Sequence, residues 1–233
     1  MMGFDPLWFM IVGPAILLAL YAQVRVKSAF RAMSRVPSSR GMSGAEAARA
    51  VLLRAGISDV PVERSSGWLS DHYDPAKKVL RLSEEVYAGR SLASIGVAAH
   101  EAGHALQHAQ SYGPLMLRSY LVPTASIGSW MAFPMIFLGG ALGFLGLVQL
   151  GIALFALLVV FQIVTLPVEF NASSRARAVL ADSGIVVDAE EMDGVRRVLN
   201  AAAMTYVAAT VQAVAQLLYF LLRSGLLGGS RDD

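Results

Sequence analysis

Four stretches of this 233-residue chain are almost wholly apolar, and polar or charged residues fill the spaces between them. They cover residues 6–24, 121–138, 150–168 and 201–222. Each comes close to the ~20 residues a helix needs to cross a bilayer. The pattern predicts four transmembrane helices, with Gly139, Gly140, Gly143 and Gly146 making a tight turn between the central pair. Trp8 and Tyr21 lie near the two ends of the first span, where interfacial aromatics belong. Gln212 and Gln216 are one turn apart on the last span and are predicted to face other helices.

Charge orients these spans. Arg25, Lys27, Arg31, Arg35 and Arg40 follow the first one, whereas the flank before it, MMGFDP, has one acidic residue and no basic one. Such a flank does not resemble a cleavable signal peptide. The positive-inside rule then predicts an outer N-terminus and a cytoplasmic segment over residues 25–114. Arg175, Arg177, Arg196 and Arg197 place residues 169–200 on the same side. The expected organisation is an N-terminal span (1–24), a cytoplasmic segment with a small β element (25–114) and a helical hairpin in the membrane (115–168). A cytoplasmic helical segment (169–200) and a final span with its tail (201–233) follow. The fold class is mainly α, an integral membrane helical bundle with a small β-hairpin.

Between residues 41 and 114, apolar and polar positions interleave. GMSGAEAARAVLLRAG reads as an amphipathic helix, with Ser43 as N-cap, Glu46 three residues on and Gly56 as its stop. Residues 57–62 read as a short strand. GWLSDHYDPAKKVLRLS predicts two strands around a turn at Asp74-Pro75. Ser83 and Ser91 open two further helices, and the second carries AAHEAGHALQHA (98–109).

Composition agrees with the membrane reading. The chain is 55% hydrophobic and 15% charged, against about 25% charged in soluble domains, and its mean hydropathy is +0.55. A net charge of +2 is too small to argue for a nucleic-acid partner. With no cysteine, disulfides and thiolate metal sites are excluded.

Three of the four histidines fall within residues 98–109. On a helix, His100 and His104 share one face, with Cβ atoms about 5–6 Å apart. Two imidazoles so placed can bind one Zn²⁺, and zinc lowers the pKa of its water to about 7. Glu101 sits beside that face, placed to take a proton from the water and pass it to a leaving amine. His108 continues the face, but eight residues rise about 12 Å, too far for one tetrahedral ion to collect all three. His108 is therefore read as a surface or supporting histidine. Ala98, Ala99, Ala102, Gly103 and Ala105 leave room for close packing, and Gly103 costs about 1 kcal/mol relative to alanine in a helix, so something is expected to approach there. A third donor must come from His72, His108 or a carboxylate. Glu169 is the best candidate: it follows the third span, and the hairpin returns it to the face where the motif helix ends. A glutamate at that depth needs a partner.

These residues resemble the YugP-like neutral zinc metallopeptidases of bacterial membranes. HEAGHALQ (100–107), LPVEFNAS (166–173), AAMTYVAA (202–209), SDHYDP (70–75) and VLRLS (79–83) carry the resemblance, which covers nearly the whole chain. More distantly, the layout is similar to the gluzincin-type membrane peptidases that include HtpX and the CAAX prenyl-protein peptidase. Those follow the motif with Glu-x-x-Ala-Asp, whose glutamate is the third zinc ligand and whose aspartate supports a ligating histidine. Here Ser173 stands in place of that aspartate, and either Ser173 or Asn171 takes the supporting role.

The resemblance implies a zinc-dependent endopeptidase of the bacterial cell membrane, multi-pass, with a cytoplasm-facing site. One zinc per chain is expected on His100, His104 and Glu169, with Glu101 as general base. Protein or peptide substrates, membrane proteins among them, and the bilayer are the partners implied. Arg175, His72 and Tyr206 are candidates to stabilise the developing oxyanion, and the strand at 78–82 is a candidate edge for an extended peptide. A non-catalytic scaffold or chaperone holding a structural metal is the alternative. A transporter ranks below it, because its spans lack the buried charges transport needs.

Overall fold

The computed structural model describes residues 5–67 and 70–226. The expectations that fall on Met1–Phe4 of the N-terminal flank, and on Trp68 and Leu69 before the hairpin, lie outside the described residues. Four long helices dominate: α1 (Pro6–Met33), α5 (Gly113–Ala141), α6 (Leu145–Asp182) and α7 (Ala189–Arg223). All four are long and apolar enough to cross a membrane. Each runs well past its apolar stretch, because the change from apolar to polar composition marks a change of surroundings and leaves the backbone helical. The turn between α5 and α6 is shorter than expected. Gly139, Gly140 and Gly146 are helical, and only Gly143 lies in the turn, at φ +65°.

Two compact units emerge, one comprising Met1–Ala22, Leu117–Leu166 and Thr205–Asp233, the other Gln23–Met116 and Pro167–Met204. The first is a helical unit whose core gathers Ala132, Ile152, Phe155, Val159, Ala213 and Phe220. Gln216 Oε1 accepts from the Trp8 indole at 3.0 Å, so one predicted glutamine does face another helix. Met10, Leu17 and Trp130 are exposed on this unit, as lipid-facing positions would be.

The second unit holds α2 (Gly44–Arg54), three short strands, α3 (Glu84–Ala88) and α4 (Leu92–Ala109). Ser43 and Glu46 form the expected capping box on α2, and Gly56 ends it at φ +72°. Ser91 caps α4 by accepting from the Ser94 amide. The sheet corrects two expectations. The first strand, β1, is Val62–Ser65 rather than residues 57–62, and it pairs parallel with β3 (Val79–Ser83). The predicted hairpin forms between β2 (His72–Asp74) and β3, so the element is a three-stranded sheet ordered β1-β3-β2. The strand expected to offer an edge, β3, is therefore central, with partners on both sides. Its leucines, Leu80 and Leu82, are fully buried in a core that includes Ile95, Ala98, Ala102, Leu180 and Val198.

Candidate metal centre

The helix α4 runs unbroken through the motif, so His100 and His104 stand on adjacent turns of one face. Their rings meet edge to face with centroids 4.8 Å apart. Glu169 arrives from α6, which continues through Pro167 without breaking. The glutamate is thus mid-helix. Gly103 permits the approach: a Cβ there would lie 2.6 Å from the Ala172 carbonyl oxygen, so any side chain would force α4 away from α6.

Glu169 Oε2 lies 3.2 Å from His100 Nε2 and 3.7 Å from His104 Nε2. The three donor atoms fall within 4.8 Å of one another. Donors sharing a tetrahedral ion at 2.0–2.1 Å stand about 3.3 Å apart, so the cluster needs little adjustment to hold zinc. The donor types also fit: two imidazole nitrogens and a carboxylate suit Zn²⁺. His104 and Glu169 are buried, at 7% and 2% exposure. Burial opposes charging of the His104 ring, but the Glu169 carboxylate outweighs it, and the ring holds a proton more readily than free imidazole. A metal entering here displaces protons.

Both rings are aimed from behind. His100 Nδ1 lies 3.1 Å from Ser173 Oγ. His104 Nδ1 lies 3.0 Å from Gln107 Oε1, and here the proton can be assigned. Gln107 Nε2 faces the Val168 carbonyl at 2.8 Å and Asn171 Oδ1 at 3.0 Å. Asn171 Oδ1 also takes the Arg175 Nε proton at 2.6 Å. A carbonyl oxygen only accepts and a guanidinium only donates, so Gln107 must turn its oxygen to His104. His104 therefore carries a proton on Nδ1, which leaves Nε2, on the Glu169 side, as the ring nitrogen able to ligate a metal. Ser173 stands directly behind His100, whereas Asn171 reaches His104 only through Gln107. Gln107, fully buried, was not singled out from sequence. Its place three residues after His104 on the same helix face was the available signal.

Glu101 is half-buried, and its Oε2 accepts from the Tyr73 backbone amide of β2 at 3.1 Å. Its other oxygen has no hydrogen-bond partner among the described residues. Nothing in the sequence announced this contact, since it depends on how β2 packs against α4. His108 Nδ1 pairs with the Tyr73 hydroxyl at 2.8 Å, consistent with a supporting histidine. Burial, then Asp59 and Asp74, push that hydroxyl up to about 12. Asp71 receives the Ser83 amide and hydroxyl, and burial raises its carboxyl above the usual range despite those bonds.

The oxyanion candidates fare differently. Arg175 bonds Asn171 and Gln110 and lies over the Tyr112 ring, 5.7 Å from its centroid. His72 is exposed on β2, with Nδ1 2.8 Å from the Ser70 carbonyl. Tyr206 is half-buried on α7 in the helical unit.

Long apolar helices, together with a two-histidine, one-glutamate donor set on neighbouring helices, define a membrane protein of metal-site type. The family model described as "Putative neutral zinc metallopeptidase" matches residues 8–225, and the chain belongs to that family. A relative from Bacillus subtilis (strain 168), "Putative membrane protease YugP", is 52% identical over 206 residues, covering 88% of this chain and 91% of the relative. No solved structure matches the chain.

Proposed function

We propose that this protein is a membrane-embedded, zinc-dependent endopeptidase whose site faces the cytoplasm. The convergence of His100 Nε2, His104 Nε2 and Glu169 Oε2 beside the Glu101 carboxylate carries the reading. Zinc held by these three donors would supply a Lewis acid and a water acidic enough to attack at neutral pH. Glu101 takes the proton of the attacking water on its free oxygen and returns it to the leaving amine. The Tyr73 amide holds the other oxygen and fixes the direction of the carboxylate. A structural zinc usually has four protein donors, whereas this cluster offers three among the described residues, which supports hydrolysis over a scaffold role. The edge beside Glu101 is that of β2, and an extended substrate would pair there.

Purified protein is expected to contain about one zinc per chain, matching a catalytic three-donor site. Chelation should abolish cleavage of a quenched peptide, and stoichiometric zinc should restore it. Cleavage that persists with no metal bound would defeat the proposal.

The hydrogen bonds behind His104 give a separate expectation. Gln107→Leu removes the acceptor that keeps the Nδ1 proton in place and should weaken zinc binding about 10–100-fold. Gln107→Glu retains an acceptor and should lose less. Equal zinc affinity in wild type and Gln107→Leu, measured by competition with a chromophoric chelator, would show that the amide does not position His104.

A further inference from the structure

A second site lies where α1 and α7 emerge from their apolar stretches. Arg25 follows the apolar run of α1 directly, and Arg196, Arg197 and Asn200 precede that of α7. Together these side chains line a groove of about 440 Å³. All four are exposed. Arg196 is engaged by Asp193, Nη1 to Oδ1 at 3.2 Å. Arg25 and Arg197 have no ion pair or hydrogen bond among the described residues. Three guanidinium groups against one carboxylate leave the groove with a charge of about +2, and the carboxylate is already committed. Such a groove selects an anion.

Position and shape say which anion. The arginines stand at the level where the helices turn apolar, which in a bilayer is the level of the lipid phosphates. Guanidinium matches phosphate oxygens in a two-pronged arrangement that an ammonium group does not reproduce. A free phosphate would satisfy the arginines equally well. The groove, however, continues past them to Ala201 and Met204, an apolar wall that a phosphate ion leaves unused and a glycerol backbone with its acyl chains would cover. With Asp193 occupied, nothing in the groove is left to receive the cation of a zwitterionic headgroup.

We propose that this groove binds the phosphodiester of an anionic phospholipid, held by Arg25 and Arg197, with Asn200 donating to the headgroup and the acyl chains lying along Ala201 and Met204. The experiment titrates full-length protein in mild detergent with phosphatidylglycerol, phosphatidylcholine and glycerol 3-phosphate, and reads bound species by native mass spectrometry. Wild type should bind one phosphatidylglycerol saturably and phosphatidylcholine at least about tenfold more weakly. Arg25→Gln with Arg197→Gln should lose at least about tenfold in phosphatidylglycerol affinity. The pair Arg31→Gln with Arg35→Gln removes the same charge outside the groove and should leave that affinity unchanged. Asp193→Asn should raise it, because Arg196 is then released. Equal losses in the two double variants would reduce the effect to diffuse surface charge and overturn the proposal. So would equal binding of phosphatidylcholine, or glycerol 3-phosphate matching the lipid's affinity, since the soluble anion would then be the ligand.

Discussion

Glu101→Gln is expected to keep its zinc and lose peptide cleavage by about 10²–10⁴-fold, the usual contribution of a general base. The two halves of that result have separate causes. The metal donors are His100, His104 and Glu169, whose atoms converge without any part of Glu101. Glutamine preserves the shape of the side chain, and its amide oxygen can still accept from the Tyr73 amide, which Glu101 Oε2 now meets at 3.1 Å. The strand β2 should therefore stay against α4, and zinc content should match wild type. What glutamine cannot do is take a proton, because an amide oxygen is far less basic than a carboxylate. Metal analysis and a quenched-peptide assay on the same preparation separate the two effects. Cleavage at the wild-type rate would remove Glu101 from the chemistry. Loss of zinc together with activity would move it into the donor set.

Much of this was readable before the fold was known, and the reasons are specific. The spacing of His100 and His104 fixes their common face because a helix repeats every 3.6 residues, whatever surrounds it. The four apolar stretches announce helices long enough to span because the bilayer sets the length. The caps at Ser43 and Ser91 are local hydrogen bonds and need only nearby sequence. Tertiary features stayed hidden. The parallel pairing of β1 with β3 joins strands that are not consecutive, so no local turn signal reports it. The change from apolar to polar residues puts a segment boundary between 168 and 169, yet α6 runs through it. Pro167 inside α6 removes one backbone donor, a loss long membrane-crossing helices tolerate. The row from Arg175 through Asn171 and Gln107 to His104 assembles residues from two helices, and each of them reads alone as an ordinary polar position. Arg175 is a candidate for the oxyanion by its charge alone, and its bonds to Asn171 and Gln110 and its place over the Tyr112 ring are tertiary contacts that no local pattern reports.

Glu169→Gln tests the third donor and should have the larger effect on the metal itself. The buried carboxylate supplies the anionic charge of the donor set, 3.2 Å from His100 Nε2 and 3.7 Å from His104 Nε2. Glutamine fills nearly the same volume and can still hydrogen-bond a histidine, so the metal-free protein should unfold close to the wild-type temperature. Its neutral oxygen is a poorer partner for a dication, and zinc affinity should fall by more than about 100-fold, the upper end of what losing a mere supporting hydrogen bond costs. Ligand linkage turns that loss into stability. At a zinc concentration about 100 times the wild-type Kd, bound metal contributes about 2.7 kcal/mol, and nearly all of it should vanish in the variant. Thermal unfolding with and without zinc measures the difference directly. A wild-type zinc-dependent shift in Glu169→Gln would mean that α6 supplies no ligand. The third donor would then have to be sought at His72 or His108, and either choice requires β2 or the end of α4 to move, since both side chains now bond elsewhere.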